Sequence, residues 1–180
     1  MIRPWSLPMS LSSVLLGGAI AYFDGYRIDL YALFLALIAT LLLHAGANIL
    51  NDASDVSKGI DRPGVATAIY RYHPVLQGEV SITYAFRLSL GITFAGLLLG
   101  AYVSYITGPV VFGFEVVGAV LLMSYTGPLI NSKVRGFGEF VVMMTFGPPL
   151  VMGGFAASTG GLLSLNPFLV SVFQIGRAHV

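Results

Sequence analysis

The chain has 180 residues, of which 56% are hydrophobic and 9% charged, with a formal net charge of +1. A soluble domain usually carries about a quarter charged residues, so nine basic and eight acidic side chains at a mean hydropathy of +0.85 exclude a disordered chain and an ordinary soluble fold. They also leave no basic face for nucleic acid, and the lack of cysteine removes disulfides, thiolate metal sites and a Cys nucleophile.

Taken in chain order, hydropathy predicts spans near 7–23, 30–50, 84–106, 110–127 and 139–158, with a sixth beginning around 167. A bilayer core takes about 20 apolar residues per helix. Runs such as LYALFLALIATLLLHAGANIL are continuous and too long for the ten-residue alternation of a transmembrane strand. The expected fold class is therefore an all-α integral membrane bundle of several spans, about five of them complete and part of a sixth. Gly91, Gly96 and Gly100 in the third span, and Gly147, Gly153 and Gly154 in the fifth, fall at spacings that let helices approach closely, chiefly for packing. No soluble domain, linker or internal repeat interrupts the pattern.

The connections differ in charge. The N-terminus, the 51–83 loop with its flanks and the 128–138 loop hold Arg3, Lys58, Arg62, Arg71, Arg87, Lys133 and Arg135, whereas the other side holds only Arg27. The positive-inside rule places the N-terminus in the cytoplasm. The natural expectation is a prokaryotic cytoplasmic membrane, with a first span that is retained and not cleaved. Residues 175–180, IGRAHV, interrupt an apolar run and match the translation of a common short-read sequencing adapter. They are read as an artefact, and residues 1–174 as the N-terminal part of a longer membrane domain.

The chemistry concentrates at the end of the second span. At 100° per residue, His44, Asn48, Asn51, Asp52 and Asp55 occupy an arc of about 100° on one helix face. Polar groups within a span are costly, so a one-sided stripe of them is expected to face a cavity. The alternative is a helix end with solvated Asn and Asp at the interface. Asn51 and Asp55 are one turn apart, and Gly59 could cap the helix in a left-handed conformation and let Asp61 fold back. An oxygen-only donor set suits a hard cation such as Mg²⁺, held by one or two carboxylates and by substrate phosphate. Lys58, Arg62 and Arg71 could balance phosphate charge. His44 reads as a packed or water-bonded histidine, and Glu115 as an interfacial snorkelling residue or one member of a buried pair.

The segment NDASDVSKGID, residues 51–61, resembles the first Asp-rich motif of the UbiA-type intramembrane aromatic prenyltransferases. Its ten-residue step from Asn51 to Asp61 is closest to the branch that prenylates 1,4-dihydroxy-2-naphthoate in menaquinone synthesis. Three more segments resemble the family in order and spacing: RPWSLPMS at residues 3–10, YTGPLINSKVRGFGEF at 125–140 and FGPPLVMGGF at 146–155. The resemblance covers the chain to about residue 174.

The resemblance implies a helical bundle around a cavity open to the cytoplasm, in which Mg²⁺ grips an isoprenyl diphosphate and an aromatic acceptor attacks the ionised prenyl group. It assigns Asn51, Asp52, Asp55 and Asp61 to the metal, with Asp55 and Asp61 as the catalytic pair. It assigns Asn48, Lys58, Arg62, Tyr125, Lys133 and Arg3 to the diphosphate. Tyr125 is equally readable as an interfacial belt residue. Two departures accompany it. Asn131 stands where the family often has a basic residue, leaving the contact to Lys133, and the family's second Asp-rich motif falls outside this sequence. The fragment is therefore expected to be inactive alone. The rival reading is a small transporter or cation-conducting protein that uses the Asn/Asp stripe as an ion relay. The implied partners are the isoprenyl diphosphate, the aromatic acceptor and the bilayer, with no nucleic acid and no protein partner named by the sequence.

Overall fold

A computed structural model describes residues 1–64, 72–126 and 136–174. The described residues are all-helical. A short 3-10 turn, Pro4–Ser6, leads into α1 (Leu7–Phe23), followed by α2 (Leu30–Ser57), α3 (Ile82–Thr107), α4 (Pro109–Thr126), α5 (Gly138–Phe146), α6 (Pro148–Ser158) and α7 (Leu165–Gln174). Among the described residues, four stretches are long and apolar enough to cross a membrane: Pro4–Phe23, Leu30–Ser57, Ile82–Thr107 and Gly138–Ser158, with α4 a shorter apolar helix. Hydropathy predicts these four, and α4 and α7 lie where it places the fourth span and the start of the sixth; two of the spans differ in detail. α2 continues seven residues past its expected end, because the polar residues that lower its hydropathy there are buried on the helix. The fifth span is broken at Gly147, since Pro148 and Pro149 have no N–H to continue the ladder and instead open α6. The Ser13 hydroxyl of α1 donates to the Phe146 carbonyl beside that break, at 2.7 Å.

The ends of the helices are set by local chemistry. The Asp29 carboxylate accepts from Ala32 N–H at 2.9 Å to start α2, and the Ser81 hydroxyl accepts from Tyr84 N–H at 3.2 Å to start α3. α2 stops at a Schellman motif. Gly59 takes φ +68°, its N–H donates to Val56 O (3.1 Å), and Ile60 N–H donates to Asp55 O (2.8 Å). This is the left-handed cap that the sequence suggests, and it turns Asp61 back beneath the helix end.

Between helices, glycine decides the closest approaches. α1 and α6 meet where a methyl on Gly17 would overlap the Val151 carbonyl and one on Gly154 would overlap the Val14 carbonyl. α2 and α3 run antiparallel. Gly46 faces Ser89 and Thr93, and Gly96 lies 3.0–3.1 Å (to an added Cβ) from Leu43. Gly96 and Gly154 thus pack as expected, whereas Gly91 faces open space and Gly153 touches only Phe114. Two small clusters close the interior at its ends. Ile49, Ala53, Val75 and Ala85 lie beside the end of α2, and Val103, Val111, Ala156 and Ala157 lie at the opposite end.

The loops fall into the two sets that the charges define. At one end are Arg3, the end of α2 and the start of α3. At the other, Asp29 N–H donates to Ser158 O at 2.8 Å, Asn166 Nδ2 donates to Asp24 at 2.9 Å, and Gly108 lies against Gly161. Arg71, Asn131, Lys133, Arg135 and the proposed artefact at 175–180 lie outside the described residues.

Candidate diphosphate and metal site

The last three turns of α2 are lined on one face by buried polar side chains. Asp52 is fully buried, Asp55 is 3% exposed and Asp61, just past the cap, is 4% exposed. Asn48 and Asn51 are buried with them. A buried carboxylate requires charged or hydrogen-bonding neighbours, and the N-terminal segment supplies them. Arg3 adopts φ +55°, the one non-glycine residue with positive φ among those described, which swings its side chain across the helix end. Arg3 Nη2 donates to Asp52 Oδ1 at 2.5 Å, and the Met1 amine lies 3.5 Å from Asp52 Oδ2.

The Asn51 amide, oriented so that its oxygen faces Arg3, accepts from Nη2 at 2.6 Å while its nitrogen donates to Asp55 Oδ2 at 3.3 Å. One guanidinium therefore ties Asn51 to Asp52, and Asn51 passes the connection to Asp55. Asn48 anchors the same segment by donating to Ile2 O (2.8 Å) and Ser6 Oγ (3.0 Å). Arg3, which the resemblance assigns to the diphosphate, is the group around which the patch is assembled.

Asp61 is positioned by a residue that sequence reasoning missed. His73 is 1% exposed; its Nδ1 accepts from Leu76 N–H at 3.3 Å, which leaves the proton on Nε2. That Nε2–H donates to Asp61 Oδ2 at 3.1 Å and stands 4.0 Å from Asp52 Oδ1. The only advance signal was a histidine before a proline at the close of a basic loop, which does not single it out. Nearby, the exposed Tyr72 phenol donates to the Glu79 carboxylate, and that bond raises the phenol pKa.

The other candidates are placed differently. Lys58 and Arg62 are exposed, and Tyr125 is half-buried near the end of α4. Lys133 lies outside the described residues. Among the described residues, no three His, Asp or Glu side chains are grouped closely enough to hold a metal by themselves. The donor chemistry nevertheless fits Mg²⁺. Asp55 supplies a carboxylate at a helix end and Asn51, one turn away, an amide oxygen shared with Arg3, and this ion takes one or two protein carboxylates and fills its octahedron with phosphate and water.

Below the patch, toward the opposite end of the bundle, lies an apolar cavity of about 90 Å³, bounded by Leu43, Phe114 and Phe146 among others. His44 and Ser10 line its upper part and also border the patch. Ser10 Oγ is 2.6 Å from His44 Nδ1, and His44 Nε2 is 3.3 Å from Ser6 Oγ, whose own proton goes to Arg3 O. The ring leans on Phe146 at 5.1 Å between centroids. His44 is thus the packed, hydrogen-bonded histidine that the sequence indicates. Glu115 departs from expectation. It forms no ion pair among the described residues. Both its oxygens are buried, lack a hydrogen-bond partner among the described residues and lie over Gly100 at the lower part of the cavity.

The described helices thus form an apolar bundle with an oxygen-rich patch at one end and an apolar cavity beneath it. Residues 10–177 match the UbiA prenyltransferase family, and the chain belongs to that family. It is similar to proteins named UbiA prenyltransferase domain-containing protein 1. The identity is 33% to the Xenopus tropicalis protein (95% of this chain, 48% of the relative) and 33% to that of Mus musculus (95% and 50%). To the Dictyostelium discoideum protein it is 26% (87% and 48%). The chain spans about half the length of these curated relatives. Together the apolar helices and the family make it an integral membrane protein. These relatives are eukaryotic, so they lend no support to a prokaryotic membrane, and they do not single out the menaquinone branch.

Proposed function

We propose that this chain carries the donor half of a Mg²⁺-dependent prenyl-transfer site, in which an isoprenyl diphosphate is bound for transfer to an aromatic quinone precursor, 1,4-dihydroxy-2-naphthoate being the leading acceptor. The observation that carries the reading is the junction of two environments. A buried oxygen-and-guanidinium patch sits directly above an apolar cavity, which is what a diphosphate joined to a hydrocarbon chain requires. The ten-residue step from Asn51 to Asp61 supports the naphthoate branch, and the names of the relatives support prenyl transfer.

In this reading Asn51, Asp55 and Asp61 would hold the metal, and Asp52 keeps Arg3 in place. When bound, Mg²⁺ supplies Lewis acidity that draws charge from the leaving diphosphate. Arg3 contributes positive charge at the same point, and Lys58, Arg62, Tyr125 and Lys133 are the further candidates for diphosphate contact. Asn48 holds the N-terminal segment against α2, so that Arg3 does not have to be ordered when substrate arrives. Phe114, Phe146 and their apolar neighbours exclude water from the allylic carbon and the chain attached to it. The charge asymmetry of the two ends supports a cytoplasmic position for this site.

Binding tests the proposal on the chain as it stands. Geranyl diphosphate affinity is expected to depend on Mg²⁺ and to fall by at least tenfold in Asp55→Ala. Affinity unchanged by either the metal or the substitution would overturn the proposal and favour an ion-relay role for the stripe.

A further inference from the structure

Glu115 is the one acidic group in the interior that the proposed chemistry does not use. It lies in the second turn of α4, with its carboxylate over Gly100 of α3, and a methyl at residue 100 would overlap both of its oxygens. The cavity passes beside it, and one turn further on the interior is closed by Val103, Val111, Ala156 and Ala157. The carboxylate therefore stands just above the floor of a cavity whose walls are otherwise mainly apolar.

Helix register fixes how far this floor is from the patch. On the antiparallel pair α2 and α3, Leu43 faces Gly96, so Gly100 comes level with about Ala39. Asn51 is twelve residues further along α2, or about 18 Å at 1.5 Å per residue. A chain that hangs from a diphosphate at Asn51 and Asp55 passes His44 and reaches Glu115 at its far end.

A carboxyl group that finds no partner among the described residues must be hydrated or matched by a hydrogen-bond donor, because burying it bare is strongly unfavourable. A cavity of this volume has room for a few water molecules. A hydrocarbon end pushed to the floor would strip that hydration and offer nothing in return. We infer that Glu115 makes the floor of the cavity hydrophilic and thereby limits the length of isoprenyl chain the site accepts, which makes it a specificity-determining residue. The inference rests on the donor reading above and deepens it.

The test compares affinities for geranyl, farnesyl and geranylgeranyl diphosphate and a longer polyprenyl diphosphate, in Mg²⁺. Two variants change the floor in different ways: Glu115→Ala empties it and Glu115→Leu fills it with apolar surface. Circular dichroism in detergent identifies the folded variants. In the unsubstituted chain, affinity is expected to rise with length and then to stop rising. In Glu115→Ala the ratio of longest-donor to geranyl affinity should increase at least tenfold. In Glu115→Leu, geranylgeranyl affinity should rise relative to geranyl affinity. Length profiles that stay the same in a folded variant would overturn the role of Glu115 while leaving the donor site standing. Failure of every diphosphate to bind the unsubstituted chain would overturn the donor reading and the inference with it.

Discussion

His73 shows how a side chain with no part in the motif can govern it. Because Leu76 N–H occupies Nδ1, the ring can give its Nε2 proton only toward Asp61 and Asp52, and so it fixes the rotamer of Asp61. Partners of this kind behind metal-binding groups typically change affinity by about 10–100-fold when removed. His73→Ala is therefore expected to weaken Mg²⁺-dependent geranyl diphosphate binding by about tenfold. His73→Asn, which can still donate a hydrogen bond to Asp61, should recover part of that loss. Equal losses in both, read by calorimetry on folded protein, would mean that the ring only fills space. The same residue marks a limit of sequence reading. The stripe on α2 was legible because its members share one helix and a 3.6-residue period. Arg3 and His73 reach it across 49 and 12 residues of chain, and no local pattern reports such a meeting.

At the scale of the elements, legibility follows the same division. Spans announce themselves by hydropathy, and the stop of α2 by a glycine at the position where a left-handed cap is needed. Which glycine touches which helix is not written in the chain. Gly17 and Gly46 mark close contacts that no spacing flagged, while Gly91, flagged, faces open space. The difference gives a paired prediction. Gly154→Ala should lower stability by about 1–3 kcal/mol, because its methyl meets the rigid backbone of Val14 rather than a yielding side chain. Gly91→Ala should be neutral or stabilising by about 0.5–1 kcal/mol, since it only removes backbone freedom from a helix. Thermal or denaturant unfolding in detergent separates them. If the two variants shift by the same amount, the α1–α6 contact is not the constraint described here. The break at Gly147 was also hidden, because an apolar run containing two prolines has the same hydropathy whether it bends or not.

For the whole molecule, the charges sort onto two ends, and the structure keeps them there. Arg3, Lys58, Arg62 and Arg87 belong to the end that carries the acidic patch, and Arg27 belongs to the other. Because the chain has no cysteine, single cysteines can report its orientation without background. Arg62→Cys is expected to react with a membrane-impermeant maleimide only when the cytoplasmic face is accessible, and Gly25→Cys only from the opposite face. Labelling of both from one side would contradict the bundle, and labelling of each from the face opposite to that expected would reverse its orientation.

The Schellman stop of α2 has a consequence for how this site can vary. Asp55 is the residue whose carbonyl receives both Ile60 N–H and Asp61 N–H, so the group that ends the helix is the group whose side chain serves the patch. The two carboxylates are consequently joined through one hydrogen-bonded peptide loop of fixed count. The interval between them works as a ruler. Adding or removing a residue between 55 and 61 would not lengthen a flexible tether; it would break the cap, and Asp61 would turn away from His73.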